Sequence, residues 1–225
     1  MAVDIPFEVQ LDSTLNRMCG AACLSMIYKY YGISDNQDKI WQRIKQRDTD
    51  GNLYSRTFKI CADLICHDIH AVIIKARNPL KVLNICNRNN YTAILCHRVN
   101  KKSNAGHFTV FEKIKGDYVF VNDPVQGKDR RISKKTILKL WQPTDGIEVV
   151  GNILITISNN GNDSNLCSKC NQEIPTSIIC PDCTPEKLVP LKPNRTIGCM
   201  NDKCSQKTWE FIVCPFCDRR IESIP

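Results

Sequence analysis

Cys19 has the type and position that covalent chemistry requires. It opens the stretch "CGAACLSMIYKYYG", residues 19 to 32, whose apolar residues recur with a helical period. At the start of a helix, the unpaired N–H groups and the positive end of the helix dipole favour a thiolate. The alternative is a small core residue, which is what we expect of Cys23 one turn later.

A thiolate nucleophile needs a general base, and the base needs a group that orients it. His107 begins the predicted strand "HFTVFEKI", and Asp123 ends the next one, "DYVFVND". A three-residue turn over Ile114, Lys115 and Gly116 would place His107 opposite Asp123, and a two-residue turn would make them diagonal neighbours. Asn122 is the alternative orienting residue, but alternation along a strand lets only one of the two neighbours face the imidazole.

The oxyanion formed when a thiolate attacks a carbonyl needs fixed hydrogen-bond donors. The backbone N–H of Cys19 can supply one, and the side-chain amide of Gln10 is the candidate for the other. The alternative for Gln10 is an exposed polar residue in a strand-like segment. The other histidines lie near a predicted helix end or strand end, so we expect surface or packing roles for His67, His70 and His97.

Eight of the fourteen cysteines fall in two similar stretches, "CSKCNQEIPTSIICPDC" and "CMNDKCSQKTWEFIVCPFC". Four thiolates in closely spaced pairs suit a tetrahedral Zn²⁺, and such closed sites are structural. Iron–sulfur clusters use the same ligands, but the hairpin-like sequence between the pairs favours zinc ribbons. We predict one zinc ion per repeat: the first held by Cys167, Cys170, Cys180 and Cys183, the second by Cys199, Cys204, Cys214 and Cys217.

The elements that must position these side chains are helices followed by strands. Helices are predicted from Cys19 to Tyr31, over "NQDKIWQRIKQ", and over "SRTFKICADLICHD", "NPLKVLNICN" and "SKKTILKLWQ" with Ser55, Asn78 and Ser133 as caps. Strands are predicted over "HAVIIKA", "YTAILCHRV", "HFTVFEKI", "DYVFVND" and "GNILITIS". Helices first and an antiparallel sheet afterwards indicate an α+β fold.

A polar, glycine-containing segment, "NNGNDSN", marks a predicted boundary. It divides the chain into a catalytic domain over residues 1–158, a linker over 159–165 and tandem zinc ribbons over 166–225. Residues 160–225 carry eight basic and eight acidic side chains, so the net charge of +8 belongs to the front of the chain. Because the ribbons are formally neutral, we expect them to contact a protein partner and not nucleic acid.

The composition argues against several other classes of protein. Hydrophobic residues make up 42% and charged residues 24%, which is typical of a globular chain. We find no run of about 18 apolar residues that could span a membrane, and the start lacks the pattern of a secretory signal. Cysteine pairs without an export signal favour metal binding over disulfides, so we expect a cytoplasmic protein that does not bind membranes.

The segments "PFEVQ", "CGAACLSMIYKYYG" and "GHFTVFEKIKGDYVFVNDP" together resemble the papain-like cysteine peptidases related to the bacteriocin-processing, double-glycine leader peptidases. The resemblance spans most of residues 5 to 158. It implies a papain-like fold and a Cys–His–Asp triad, with Cys19, His107, Asp123 and Gln10 as the matching positions. Two features depart from the pattern: Gln10 lies nine residues before Cys19, and Met18 replaces a polar residue.

The resemblance implies hydrolysis of a peptide bond in a protein substrate, with the zinc ribbons recruiting the substrate or a partner. Transfer of the acyl group to an amine would use the same residues. The alternative from another class is a catalytically silent, protease-like binding module that zinc holds together.

Overall fold

A computed structural model describes residues 4–11, 18–103, 105–143, 149–158 and 164–222. Its helices are α1 (Cys19–Tyr30), α2 (Gln37–Ile44), α3 (Thr57–Cys66), α4 (Pro79–Asn89) and α5 (Lys134–Leu140). Its strands are β1 (Lys45–Arg47), β2 (Leu53–Ser55), β3 (His70–Ala76), β4 (Thr92–Arg98), β5 (Gly106–Lys115), β6 (Tyr118–Asp123), β7 (Gly127–Ser133), β8 (Ile153–Ser158), β9 (Ser177–Cys180), β10 (Lys187–Pro190), β11 (Trp209–Val213) and β12 (Arg220–Ile221).

The helix ends follow local capping rules that the sequence contains. α4 begins at Pro79, and the Asn78 side chain accepts a hydrogen bond from the Lys81 N–H at 3.0 Å. Ser133 caps α5 in the same way. The predicted cap of α3 is wrong, because Ser55 ends β2 and Arg56 occupies the cap position without a side-chain bond.

Eight strands form one antiparallel sheet in the order β12-β11-β3-β8-β4-β5-β6-β7. Two small sheets, β1-β2 and β9-β10, lie outside it. The predicted α+β class is confirmed, since helices and an antiparallel sheet share the fold. Two of the eight strands, β11 and β12, lie in the cysteine-rich region, residues 166–225. The sequence did not indicate that strands of this region would join the main sheet.

β11 joins the cysteine-rich region to the sheet of the preceding region. It pairs antiparallel with β3, with Ile212 opposite Ile74 and Val213 opposite Ile73. The two predicted regions therefore share one hydrogen-bonded sheet through their backbones. The boundary at 159–165 stays a prediction, and residues 159–163 lie outside the described residues.

Apolar residues pack on both sides of the sheet. One core contains the buried faces of α1, α2 and α3. The other contains α4, α5 and residues of the cysteine-rich region, including the fully buried Trp209. The helices of the described part are all too short or too polar to cross a lipid bilayer. The first core brings the N-terminal end of α1 against the sheet that carries His107.

Candidate active site and metal centres

The start of α1 is fixed by close packing. Cys19 is the first residue of α1 and is 4% exposed. At Gly20, an added Cβ would lie 2.5 Å from Ser55 Oγ and 2.9 Å from Ile60 Cδ1. A side chain at position 20 would have to displace Ser55 and Ile60, so Gly20 allows the close approach of α1 that holds Cys19 in place. Cys23 is fully buried, as predicted.

An irregularity in β5 aligns His107 with Asp123. The hairpin turn is Gly116-Asp117, since Lys115 pairs with Tyr118. The pairing then shifts at Glu112, so that Val110 lies opposite Asn122. Continuing this register by one residue places Asp123 opposite Thr109. Thr109 lies two residues from His107, so the two side chains are on the same face of β5. Without this bulge every residue of β5 before Glu112 would move by one position, and His107 would point to the opposite face.

The Asp123 carboxylate is fully buried and bonded at both oxygens. His107 Nε2 lies 2.8 Å from Oδ1, which also accepts from the backbone N–H groups of Val125 and Gln126 at 3.0 and 3.1 Å. Arg130 Nη1 donates to Oδ2 at 2.8 Å. Burial raises the pKa of Asp123, but the bonds from His107 and the backbone outweigh it and bring the pKa to about 2. Asp123 is therefore ionised at neutral pH.

Cys19 is the second side chain that acts on the pKa of His107. Burial lowers the pKa of His107, but hydrogen bonds to Asp123 and Cys19 outweigh burial and raise it to about 9. Because Nε2 faces Asp123, the other ring nitrogen, Nδ1, is left for the thiol. The structure thus brings together the three side chains predicted from the sequence. A thiol, an imidazole and a carboxylate in this order can transfer the thiol proton to the ring.

Asn122 and Gln10 occupy the surroundings of this group. Asn122 does not orient His107: its Nδ2 donates to Ile5 O at 3.1 Å and to Glu112 Oε1 at 3.0 Å. The Gln10 N–H donates to Pro124 O at 3.1 Å, which places its backbone beside the segment after Asp123. Gln10 is buried, so the exposed alternative is wrong, while its role as an oxyanion donor stays a prediction.

Two further residues border the site: His97, which has the packing role expected of it, and Arg130, which sequence reasoning missed. His97 is fully buried, and its ring meets the His107 ring edge to face with centroids 5.8 Å apart. Burial lowers its pKa to about 4, so it is neutral and packs beside His107. Arg130, the second neighbour, contacts Asp123. The sequence signal for both was strand pairing, since His97 lies opposite His107 and Arg130 opposite Val121.

The peptidase C39 family model matches residues 12–145, more than half of the chain. This chain belongs to the peptidase C39 family. It is a cysteine peptidase with the predicted α+β fold, and the relationship to bacteriocin-processing peptidases that the sequence indicated is confirmed. No curated protein matches it at a significant level.

Two solved peptidase structures share the fold of this chain, and a third is similar to it. A C39-like peptidase from Bacillus anthracis is 15% identical, with a TM-score of 0.54 over 71% of this chain and 98% of that one. The peptidase domain of Streptococcus ComA, a bifunctional ABC transporter, is 18% identical, with a TM-score of 0.52 over 69% and 98%. A double glycine motif protease from an AMS/PCAT transporter, in complex with the leader peptide, is 21% identical, with a TM-score of 0.49 over 69% and 93%.

The eight predicted cysteines form two groups that could each hold a metal ion, in a grouping different from the predicted one. One group contains the first pair of each repeat, and the other contains the second pair of each repeat. The first group is Cys167, Cys170, Cys199 and Cys204, and the second is Cys180, Cys183, Cys214 and Cys217. The prediction of one zinc ion per repeat is therefore wrong in its ligand sets.

The strands between the cysteine pairs explain this grouping. β11 separates Cys204 from Cys214, and five extended residues span about 17 Å, too far for one ion to bridge. β9 likewise separates Cys170 from Cys180. Equivalent pairs of the two repeats lie side by side instead. Cys170, Cys180 and Cys183 each recur 34 residues later, at Cys204, Cys214 and Cys217, and this repeat is compatible with the arrangement.

Both groups have dimensions that fit a zinc ion. In the first, the sulfur atoms of Cys167 and Cys204 lie 3.8 Å apart and those of Cys170 and Cys199 lie 3.6 Å apart. The matching distances in the second are 3.6 and 3.7 Å. Sulfurs at about 2.3 Å from a tetrahedral Zn²⁺ would lie about 3.8 Å from each other. A disulfide needs about 2.05 Å, so these contacts are not disulfides.

Polar contacts fix the metal centres to the rest of the molecule. Arg77 Nη2 pairs with Asp202 Oδ1 at 2.8 Å, and Lys81 Nζ donates to Ser205 O at 2.7 Å. Both acceptors lie close to Cys204. Asp218, next to Cys217, pairs with Arg56 at the start of α3. The metal-binding region therefore contacts the peptidase fold at both of its centres.

Proposed function

We propose that this C39 peptidase hydrolyses a peptide bond in a protein substrate with Cys19 as the nucleophile. The observation that supports this assignment is the hydrogen bond between His107 and the buried Asp123, together with the raised pKa of His107, to which Asp123 and Cys19 both contribute. The family match supports peptidase chemistry, and the geometry supplies the residues for it.

The proposed reaction begins when His107 holds the proton of Cys19 and the thiolate attacks the substrate carbonyl carbon. The carbon–nitrogen bond then breaks, His107 gives its proton to the leaving amine, and the acyl group stays on Cys19 as a thioester. Water, deprotonated by His107, hydrolyses the thioester and restores the thiol. Asp123 keeps the ring oriented and stabilises its protonated form.

The oxyanion in this proposal is held by the Cys19 N–H and by the side-chain amide of Gln10. The support for Gln10 is its burial and the bond from its backbone to Pro124, one residue after Asp123. Removing one oxyanion donor typically lowers the rate about 10²–10³-fold.

Two structural zinc ions are proposed for the cysteine groups. Each ion would join the two repeats, and it would supply no reaction step because four thiolates fill its coordination sphere. All fourteen cysteines are free of disulfides, which suits the cytoplasmic location that we propose.

We also propose that the cysteine-rich region recruits a protein substrate or partner. The support is an apolar pair on the small sheet β9-β10, where Ile179 lies opposite Leu188 and the two are 55% and 64% exposed. Exposed apolar pairs of this kind are typical of protein contacts. The neutral charge of the region favours a protein over nucleic acid.

The proposal is tested by comparing new protein N-termini in a cell lysate incubated with the wild-type protein, with Cys19→Ala, or with Cys66→Ala as a matched control at an exposed cysteine. We expect the wild type and Cys66→Ala to generate the same new N-termini and Cys19→Ala to generate none. Equal cleavage by Cys19→Ala would contradict the proposal. Conjugates formed without new N-termini would favour acyl transfer.

A further inference from the structure

Arg130 on β7 bonds the Asp123 oxygen that His107 does not use. We propose that Arg130 is a positioning residue, whose guanidinium holds the Asp123 carboxylate in the orientation that accepts the hydrogen bond from His107. This inference rests on the proposed roles of Cys19, His107 and Asp123.

The two oxygens of Asp123 have different partners. Oδ1 receives His107 and the two backbone N–H groups, and Oδ2 receives Arg130 Nη1 at 2.8 Å. A carboxylate bonded at one oxygen alone can rotate about its Cβ–Cγ bond. The bond from Arg130 at the second oxygen therefore fixes the plane of the group.

Charge acts in the same direction as geometry. The Asp123 side chain is fully buried, whereas the Arg130 side chain is 29% exposed, so the guanidinium compensates a charge that water does not reach. A positive charge here also favours a negative thiolate nearby. Besides the pair itself, titratable side chains face it from three elements: Cys19 and Cys23 on α1, His97 on β4 and His107 on β5.

The neighbouring Arg131 offers a matched control. It has the same charge and lies on the same strand, but its guanidinium stacks on the Tyr118 ring. The guanidinium carbon Cζ lies 4.5 Å from the ring centroid. Substitution of Arg131 removes the same charge from the chain without touching Asp123.

The experiment measures the alkylation rate of Cys19 by iodoacetamide between pH 4.5 and 9, with each cysteine identified by peptide mapping. In Arg130→Met, the lost positive charge disfavours the thiolate, and the looser Asp123 disfavours the imidazolium. We expect the pH midpoint to rise by about 0.5–1 unit, which slows the reaction at pH 5 about three- to tenfold. Arg130→Lys should lie between this variant and the wild type. Arg131→Met should match the wild type.

The outcomes separate this inference from the proposed function. If wild-type Cys19 does not react below pH 7, the proposed triad fails. If wild-type Cys19 reacts there and Arg130→Met has the same profile, the role of Arg130 is overturned and the triad stands. The buried Cys86 reports unfolding. If Cys86 reacts in Arg130→Met, then Arg130→Lys decides: a rate at least twofold below wild type at pH 5 supports the role, and the wild-type rate overturns it.

Discussion

His107 Nε2 lies 2.8 Å from Asp123 Oδ1 although the two residues are not directly opposite in the hairpin. The bulge at Glu112 makes this contact possible, because it shifts the start of β5 by one position relative to β6. The shift is a local feature of one strand, yet it decides whether the imidazole and the carboxylate share a face.

Replacing Asp123 by asparagine should lower cleavage about 10²–10⁴-fold, because the ring loses the charge that stabilises its protonated form. Counting new N-termini per unit time in the lysate assay measures this loss. Asp117→Asn, at the exposed hairpin turn, makes the same chemical change and should keep full activity. Full activity of Asp123→Asn would show that the carboxylate is not needed.

Stability should depend on pH through His107. Its pKa in the folded protein, about 9, lies above the value of about 6.5 in an unfolded chain, so the folded state binds the proton more tightly. This contribution is fully present below about pH 6.5 and is lost as the pH rises through 9. Urea unfolding measures the free energy of unfolding of the wild type and of His107→Gln. The difference between the two proteins should be larger at pH 6 than at pH 10, by on the order of a few kcal/mol. A difference that does not change with pH would contradict the raised pKa.

The grouping of the cysteines can be tested by counting bound zinc in two variants that each lack four thiols. The first variant replaces Cys167, Cys170, Cys199 and Cys204 by alanine, and the second replaces Cys167, Cys170, Cys180 and Cys183. The structure predicts one zinc ion in the first variant, whose second centre is intact, and none in the second. Elemental analysis of the purified proteins measures this. The reverse result would restore the grouping of one ion per repeat.

Gly20→Ala should destabilise the protein by about 1–3 kcal/mol, because the added methyl group overlaps Ser55 Oγ. Ser55→Ala removes that oxygen, so the double variant should recover part of the loss. Denaturant unfolding of the four proteins completes the cycle. Strictly additive effects would mean that the two residues do not touch in solution.

Much of the catalytic half could be predicted because its signals are local. Helix periods, the cap at Asn78 and strand patterns depend on neighbouring residues, and the predicted β3 matches the observed bounds His70–Ala76. The candidate triad followed from one helix start and one hairpin. The register of the hairpin could not be predicted, because it depends on a bulge at Glu112, and a bulge leaves little trace in residue type.

The rest depended on contacts between residues that are distant in the sequence. The ligand sets of the two metal centres are decided by how the repeats pack, since the same eight cysteines permit either grouping. The pairing of β11 with β3 joins residues about 140 positions apart, and the sequence pattern alone gives no partner for an apolar strand. Arg130 was missed because it belongs to no recognisable sequence motif. Its partner, Asp123, lies on the adjacent strand.

The central claim is that Cys19 is activated by His107, and covalent labelling tests it most directly. A peptide-based electrophile is incubated with the wild type and with His107→Ala, and the adducts are mapped at each cysteine. We predict that Cys19 carries the adduct in the wild type, that the exposed Cys66 reacts far more slowly, and that His107→Ala lowers labelling of Cys19 about 10²-fold or more. Labelling that follows exposure, with Cys66 ahead of Cys19 and no effect of His107→Ala, would contradict the claim.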